Sequence, residues 1–127
     1  MQESVRKKIN DRFTKAQVAQ AARDLSATAK LWENGYQGWL QGRNFDQIVD
    51  PTACCSYGGL LLVTGERHGA ASDYDSRTTA AACCFLYVTG QDVVSYNDTD
   101  GRTKAGVIQT MQDVARALAE YAQPADV

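Results

Sequence analysis

The chain has 127 residues and a formal net charge of −2 at pH 7. This length fits one domain with a single core, and the slightly acidic balance argues against a nucleic-acid-binding surface. No apolar run approaches the roughly 18 residues of a membrane span and no signal-peptide pattern is present, so we expect a cytoplasmic protein without a membrane partner.

The chain is predicted to begin with a short amino-terminal segment followed by a long helix. Residues 1–13 lack a sustained apolar face, and we expect either a short helix or a frayed amino-terminal arm before a globular domain at 14–123. From Thr14, a favourable N-cap, apolar residues recur at steps of four and three, which predicts an amphipathic helix to about residue 33. Its stripe consists of Val18, Ala22, Leu25, Ala29 and Trp32. Asn34-Gly35 is a typical helix end.

A glycine-spaced aromatic stretch follows at residues 35–42 and predicts a loop or a short extended segment. Tyr36 and Trp39 in this stretch have two interpretations. In the first, they line a binding groove, since aromatic side chains contribute much of the binding free energy at interfaces. In the second, they cover one end of the domain. Trp32 belongs to the core stripe of the preceding helix.

The middle of the chain contains a near-repeat with a cysteine pair in each copy. The segment from Ala53 to Gly65 is echoed, four residues shorter, by the segment from Ala82 to Gly90. Asp50-Pro51 predicts the start of the first cysteine helix, which ends at Gly65, and Ser76 predicts the cap of the second, which ends at Gly90. In a reducing cytosol these cysteines are expected to be buried thiols rather than disulfides.

The last part of the chain combines a polar turn with a second amphipathic helix. Residues 93–96 predict a short extended piece at most, and residues 97–101 have strong turn chemistry. Either Asp100 or Thr103 caps the final helix, whose apolar spacing matches that of the first long helix. The sequence therefore predicts an all-α or mainly α fold, a compact single-domain bundle of about four helices with one or two short strands near Trp39 and Val93.

The order of three motifs resembles a known family. They are Gly38-Trp39-Leu40-Gln41-Gly42, Cys55-Ser56-Tyr57-Gly58-Gly59-Leu60 and the run Asn97-Asp98-Thr99-Asp100-Gly101-Arg102-Thr103. This arrangement is similar to that of DUF6197, small actinobacterial and actinophage proteins of unknown function, over roughly residues 31–118. The resemblance implies a bacterial or phage setting and a common fold, and it supplies no activity.

Cys55 is the best candidate for chemistry, because it lies in the opening turns of a predicted helix whose positive end favours a thiolate. His68, the only histidine, lies 13 residues further along, about 20 Å away if the helix continues. Asp98 or Asn97 would orient the reacting groups. The adjacent cysteine pairs do not match zinc spacing, and the 97–101 turn lacks a closing glutamate for calcium, so we expect no metal or other cofactor.

The second candidate site is a binding surface that includes Tyr36, Trp39, Asn97, Asp98, Arg102 and Thr103. Arg102 is a fork-shaped donor beside a helix N-terminus, which suits an anion or ligand. The alternative is a turn and cap whose polar groups bond one another. We expect an accessory protein that binds a partner protein or small ligand as a regulator or inhibitor, and a homo-oligomeric state is compatible with the sequence. The alternative function is a hydrolase or transferase with Cys55 as nucleophile.

Overall fold

In a computed structural model, the described residues are 1–35, 38–39, 41, 53–66 and 76–123. They form six α-helices and two strands of two residues each, which confirms a mainly α fold with two short helices beyond the four predicted. The elements are α1 (Glu3–Arg12), α2 (Lys15–Glu33), β1 (Gly38–Trp39), β2 (Ala53–Cys54), α3 (Ser56–Thr64), α4 (Arg77–Thr89), α5 (Val93–Asp98) and α6 (Lys104–Ala122).

The two long helices α2 and α6 form the centre of the fold. They are antiparallel, because Lys15 Nζ at the start of α2 donates to the Tyr121 carbonyl oxygen at 2.9 Å, and Gln112 Nε2 donates to Glu33 at the end of α2. Their predicted apolar stripes are buried against each other, as expected for helices with matching faces. Thr14 caps α2 in a capping box with Gln17.

Helices α3 and α4 both pack against α2 and against each other, and α4 also contacts α6. Thr64 Oγ1 of α3 lies 2.9 Å from Thr78 Oγ1 of α4, so the two helices of the near-repeat meet. Gly65 and Gly90 end them in the left-handed conformation, with φ of 72° and 79°, and Ser76 caps α4 as predicted.

The predicted start of α3 is wrong where the structure describes it. Ala53 and Cys54 form β2, which pairs in parallel with β1 in the register Gly38 with Ala53 and Trp39 with Cys54. Cys55 has an extended backbone and is the N-cap, so the helix begins at Ser56 rather than upstream of the cysteines. Asp50 and Pro51, the predicted start, lie outside the described residues.

The predicted extended piece at residues 93–96 is also wrong. These residues belong to α5, whose N-cap Asp92 accepts a 2.9 Å hydrogen bond from the Ser95 amide. Burial of Val93 anchors the helix to the core. The following turn leads to Thr103, which caps α6, so of the two predicted caps the structure has Thr103.

The amino-terminal segment is a helix that contributes to the core. Ile9 on α1 is fully buried, and Phe13 directly after the helix is buried as well. Arg6 of α1 lies over the ring of Tyr121 near the end of α6. Among the described residues, every helix is too short or too polar to cross a lipid bilayer.

Candidate functional site

One side-chain oxygen, Oδ1 of Asn97, is the centre of the candidate site. It accepts hydrogen bonds from Trp39 Nε1 at 2.7 Å, from the Ser56 amide at 3.1 Å and from Ser56 Oγ at 2.6 Å. Asn97 is 1% exposed. A buried acceptor with three donors joins β1, the first residue of α3 and the end of α5.

The surface above Asn97 is formed by Trp39, Gln41 and residues 98–102, which we call the Trp39 face. Gln41 Nε2 donates to the carbonyl oxygens of Asn97 at 3.1 Å and Thr99 at 2.9 Å. Trp39 is half-buried, whereas Gln41, Asp100 and Gly101 are exposed. The structure thus brings Trp39 and Gln41 of the predicted aromatic stretch together with the predicted polar turn at one surface.

Arg102 and Thr103 both have local structural partners. The Arg102 guanidinium lies 3.7 Å from the centroid of the Tyr96 ring, and its Nε donates to the Tyr96 carbonyl oxygen. Thr103 Oγ1 accepts from the Gly106 amide as the cap of α6. Thr103 is therefore occupied by capping, while Arg102 is held in one position and stays partly accessible at the edge of the Trp39 face.

Asp98 and Asp100 give this surface an acidic component. Asp98 Oδ1 accepts from Asn97 Nδ2 at 3.0 Å, which orients the amide so that its oxygen faces the three donors. Asp100 is exposed next to Gly101, whose φ of 82° makes the tight turn possible. Tyr36, the remaining predicted binding residue, lies outside the described residues.

Cys55 is positioned differently from the sequence prediction. It is the N-cap of α3, 5% exposed, and its Sγ accepts from the Gly58 amide at 3.4 Å. Its neighbour Ser56 bonds to Asn97, so Cys55 and Asp98 belong to the same end of the fold. His68, the only histidine, lies outside the described residues.

The other thiols are free and mostly buried, as the sequence predicts. Burial raises the pKa of the Cys54 thiol to about 11, and the neighbouring Cys55 raises it further. Burial likewise raises the pKa of Cys84 to about 12. Such thiols stay protonated at neutral pH and are poor nucleophiles. In the part of the chain that the structure describes, no three Cys, His, Asp or Glu side chains gather as metal ligands.

Sequence reasoning missed the residues that hold the site together. Ser56 and Gln41 lay inside motifs that we had identified, but their partners are distant in the chain. It also missed the ion pair between buried Asp24 and exposed Arg77, with contacts of 2.6 and 3.1 Å. The one available signal was a carboxylate directly before Leu25 of the predicted core stripe.

Comparison with known proteins gives one match. The model of the family described as "Family of unknown function (DUF6197)" matches residues 12–117. This span includes the three sequence motifs on which the resemblance rests. The comparisons with curated proteins and with solved structures found no match.

Proposed function

This chain belongs to the DUF6197 family, and we propose that it acts by binding a partner protein at the Trp39 face. In this proposal it is an accessory protein that regulates or inhibits its partner. In this proposal it works in a bacterial or phage setting, which the resemblance noted from the sequence implies, and in the cytoplasm.

The observation that carries the proposal is the fixed position of the Trp39 face. Asn97 Oδ1 holds β1 and α3 against α5, and Gln41 bridges two carbonyl oxygens of the turn. A surface that is ordered before binding loses less conformational entropy on association. The face also contains Trp39 and Arg102, and tryptophan and arginine are among the residue types that contribute most to the binding free energy at interfaces.

The chemistry of the face favours a protein partner with polar and basic groups. Asp100 is exposed and Asp98 partly so, and together they offer carboxylate oxygens to cationic side chains. Half-buried Trp39 beside them supplies an apolar contact area. An aromatic centre with a charged edge is the usual composition of a protein interface.

The proposal can be tested by photo-crosslinking in the organism that carries the gene. A photoreactive phenylalanine analogue replaces Asp100, and the crosslinked protein is identified by mass spectrometry. We expect crosslinking to identify one dominant partner. In a separate variant without the photoreactive group, Asp100→Lys should reduce co-purification of that partner at least tenfold, because a reversed charge at an interface is strongly unfavourable.

Glu3 provides the matched control, because it is exposed on α1, and α1 contacts the opposite end of α6 through Arg6 and Tyr121. Glu3→Lys changes the net charge by the same amount and should leave co-purification unchanged. Equal loss in both variants, or crosslinking of the same partner from position 3, would contradict binding at the Trp39 face.

A further inference from the structure

A shallow groove of about 780 Å³ follows the outer side of the α2–α6 pair. Half of the described residues that line it are alanines, namely Ala19, Ala22, Ala27, Ala115, Ala119 and Ala122. Packed helices have axes about 8–10 Å apart, and such short side chains allow a third helix to pack at the shorter of these distances. The floor of the groove is thus apolar and shaped for close backbone packing.

The rim of the groove is cationic. Arg23, Lys30 and Arg116 line it, and none of the described residues that line the groove is an Asp or Glu. Within the described part of the chain, Arg116 has the only ion pair of the three, a 3.4 Å contact to exposed Asp113. Exposed pairs of this kind are weak, so all three cations can interact with an incoming carboxylate.

The length of the groove matches about three helical turns. Its lining extends from Ala19 to Lys30 on α2 and from Gln112 to Gln123 on α6, which are antiparallel. Each stretch has eleven residue steps, and at 1.5 Å per residue this gives a groove ~17 Å long. A short amphipathic helix buries one face over that distance.

We propose that this groove binds an acidic amphipathic helix of a partner protein, with small apolar residues on the buried face and carboxylates facing the rim. The charge pattern selects this occupant. A second copy of the chain, docked groove to groove, would bring Arg23, Lys30 and Arg116 against the same cations, which is electrostatically unfavourable. This site is separate from the Trp39 face and does not depend on the function proposed for it.

The probe is a synthetic helical peptide with Ala and Leu on one face and Glu on the other, titrated into ¹⁵N-labelled full-length protein. We expect shifts of amide resonances along the groove on α2 and α6. Affinity should fall roughly tenfold between 50 and 300 mM salt, because the attraction is between exposed charges. The same peptide with Lys in place of Glu should leave these resonances unchanged.

Two variants separate charge from shape. Arg116→Glu should weaken peptide binding roughly tenfold by reversing a rim charge. Ala119→Trp should block the groove and abolish binding with the rim charges intact. Lys104→Glu is the matched control, since Lys104 is exposed on the first turn of the same helix and does not line the groove. Asp100→Lys on the Trp39 face should also bind the peptide normally.

Three results would overturn the proposal. The first is that the Glu peptide shifts no groove resonance. The second is that Lys104→Glu weakens binding as much as Arg116→Glu, which indicates a nonspecific charge effect. The third is a dimer in sedimentation that Ala119→Trp dissociates, which assigns the groove to a second copy of the chain.

Discussion

Trp39 and Asn97 lie 58 residues apart in the sequence, yet Trp39 Nε1 donates a 2.7 Å hydrogen bond to Asn97 Oδ1. The same oxygen accepts two hydrogen bonds from Ser56. One buried amide therefore fixes the relative positions of β1, α3 and α5. The candidate binding surface depends on an interior side chain that is itself inaccessible to a partner.

Asn97→Ala should destabilise the protein by about 2–4 kcal/mol, because it removes the acceptor of several buried donors at once. The free energy of unfolding is measured by urea denaturation followed by circular dichroism. Asp100→Ala, an exposed change in the adjoining turn, should stay within about 0.5 kcal/mol of the wild type. Equal effects of the two substitutions would show that Asn97 does not hold the segments together.

A residue larger than glycine at position 59 is expected to destabilise the core. A Cβ at this position would lie 2.9 Å from Thr28 Cγ2 and 3.3 Å from Trp32 Cζ2. Thr28 cannot easily move, because it is fully buried and its Oγ1 donates to the Asp24 carbonyl oxygen at 2.7 Å. Gly59→Ala should therefore cost about 1–2 kcal/mol, although alanine is the better helix former.

Thr28→Ser tests the steric origin of this cost. It keeps the hydroxyl that bonds to Asp24 and removes the Cγ2 methyl group that a Cβ at position 59 would meet. The double variant should be more stable than Gly59→Ala alone, as measured in a double-mutant cycle by thermal and urea unfolding. Strictly additive losses would assign the effect of Gly59→Ala to something other than this contact.

The extent to which the sequence predicts the fold depends on how local each signal is. The apolar stripes and the caps Thr14, Ser76 and Gly90 are local, and they predict α2, α4 and α6 correctly. The strand pairing of Gly38 with Ala53 was missed because two-residue strands carry almost no pattern. Helix α5 was missed because its Val-Val-Ser-Tyr run favours a strand and only the Asp92 cap favours a helix.

The candidate site was predicted in its parts but not in its organisation. Trp39 and the polar turn were both selected from residue type, and they do meet. Their connection depends on which way the Asn97 amide points inside the folded protein, which no local pattern encodes. The groove cations were missed because Arg23 and Lys30 are ordinary surface residues until α6 places Arg116 beside them.

Removal of Arg77 should destabilise the protein, because its ion-pair partner Asp24 is buried. The Asp24 side chain is 2% exposed and that of Arg77 is 47% exposed. Arg77→Met should cost about 2–3 kcal/mol, because it leaves a buried carboxylate without its cation. Asp24→Leu combined with Arg77→Met should recover part of the loss in unfolding experiments. A double variant less stable than Arg77→Met would show that the buried charge is not the cause.

Thiol alkylation distinguishes the binding proposal from a cysteine-dependent enzyme. With iodoacetamide at pH 8, half-buried Cys83 should react first, and Cys54 and Cys84 should react slowly because burial raises the pKa of both thiols. Cys55 should also be slow, because it is 5% exposed. Labelling is read residue by residue by mass spectrometry, with urea-unfolded protein as the control in which all four react. Fast labelling of Cys55 alone would favour the enzyme.

Glu66 should make the stability depend on pH in the acid range. Its carboxylate accepts from the Arg77 and Thr78 amides at 3.1 and 2.7 Å and so caps α4. Burial alone would raise its pKa, but the hydrogen bonds from Thr78 and Arg77 outweigh burial and lower the pKa below its ordinary value of 4.5. Protonation therefore favours the unfolded state, and the stabilisation is present above pH 4.5 and lost as the pH falls through the lowered pKa.

Glu66→Gln should consequently be less stable than the wild type at pH 7, by about 1 kcal/mol, since a charged cap is replaced by a neutral one. Below the pKa of Glu66 in the folded protein the wild-type carboxyl is also neutral, so the two stability curves should converge. Urea unfolding at a series of pH values measures both curves. Glu120→Gln, at an exposed position on α6, should follow the wild type throughout. A gap between wild type and Glu66→Gln that is as large at pH 3 as at pH 7 would contradict a charged cap.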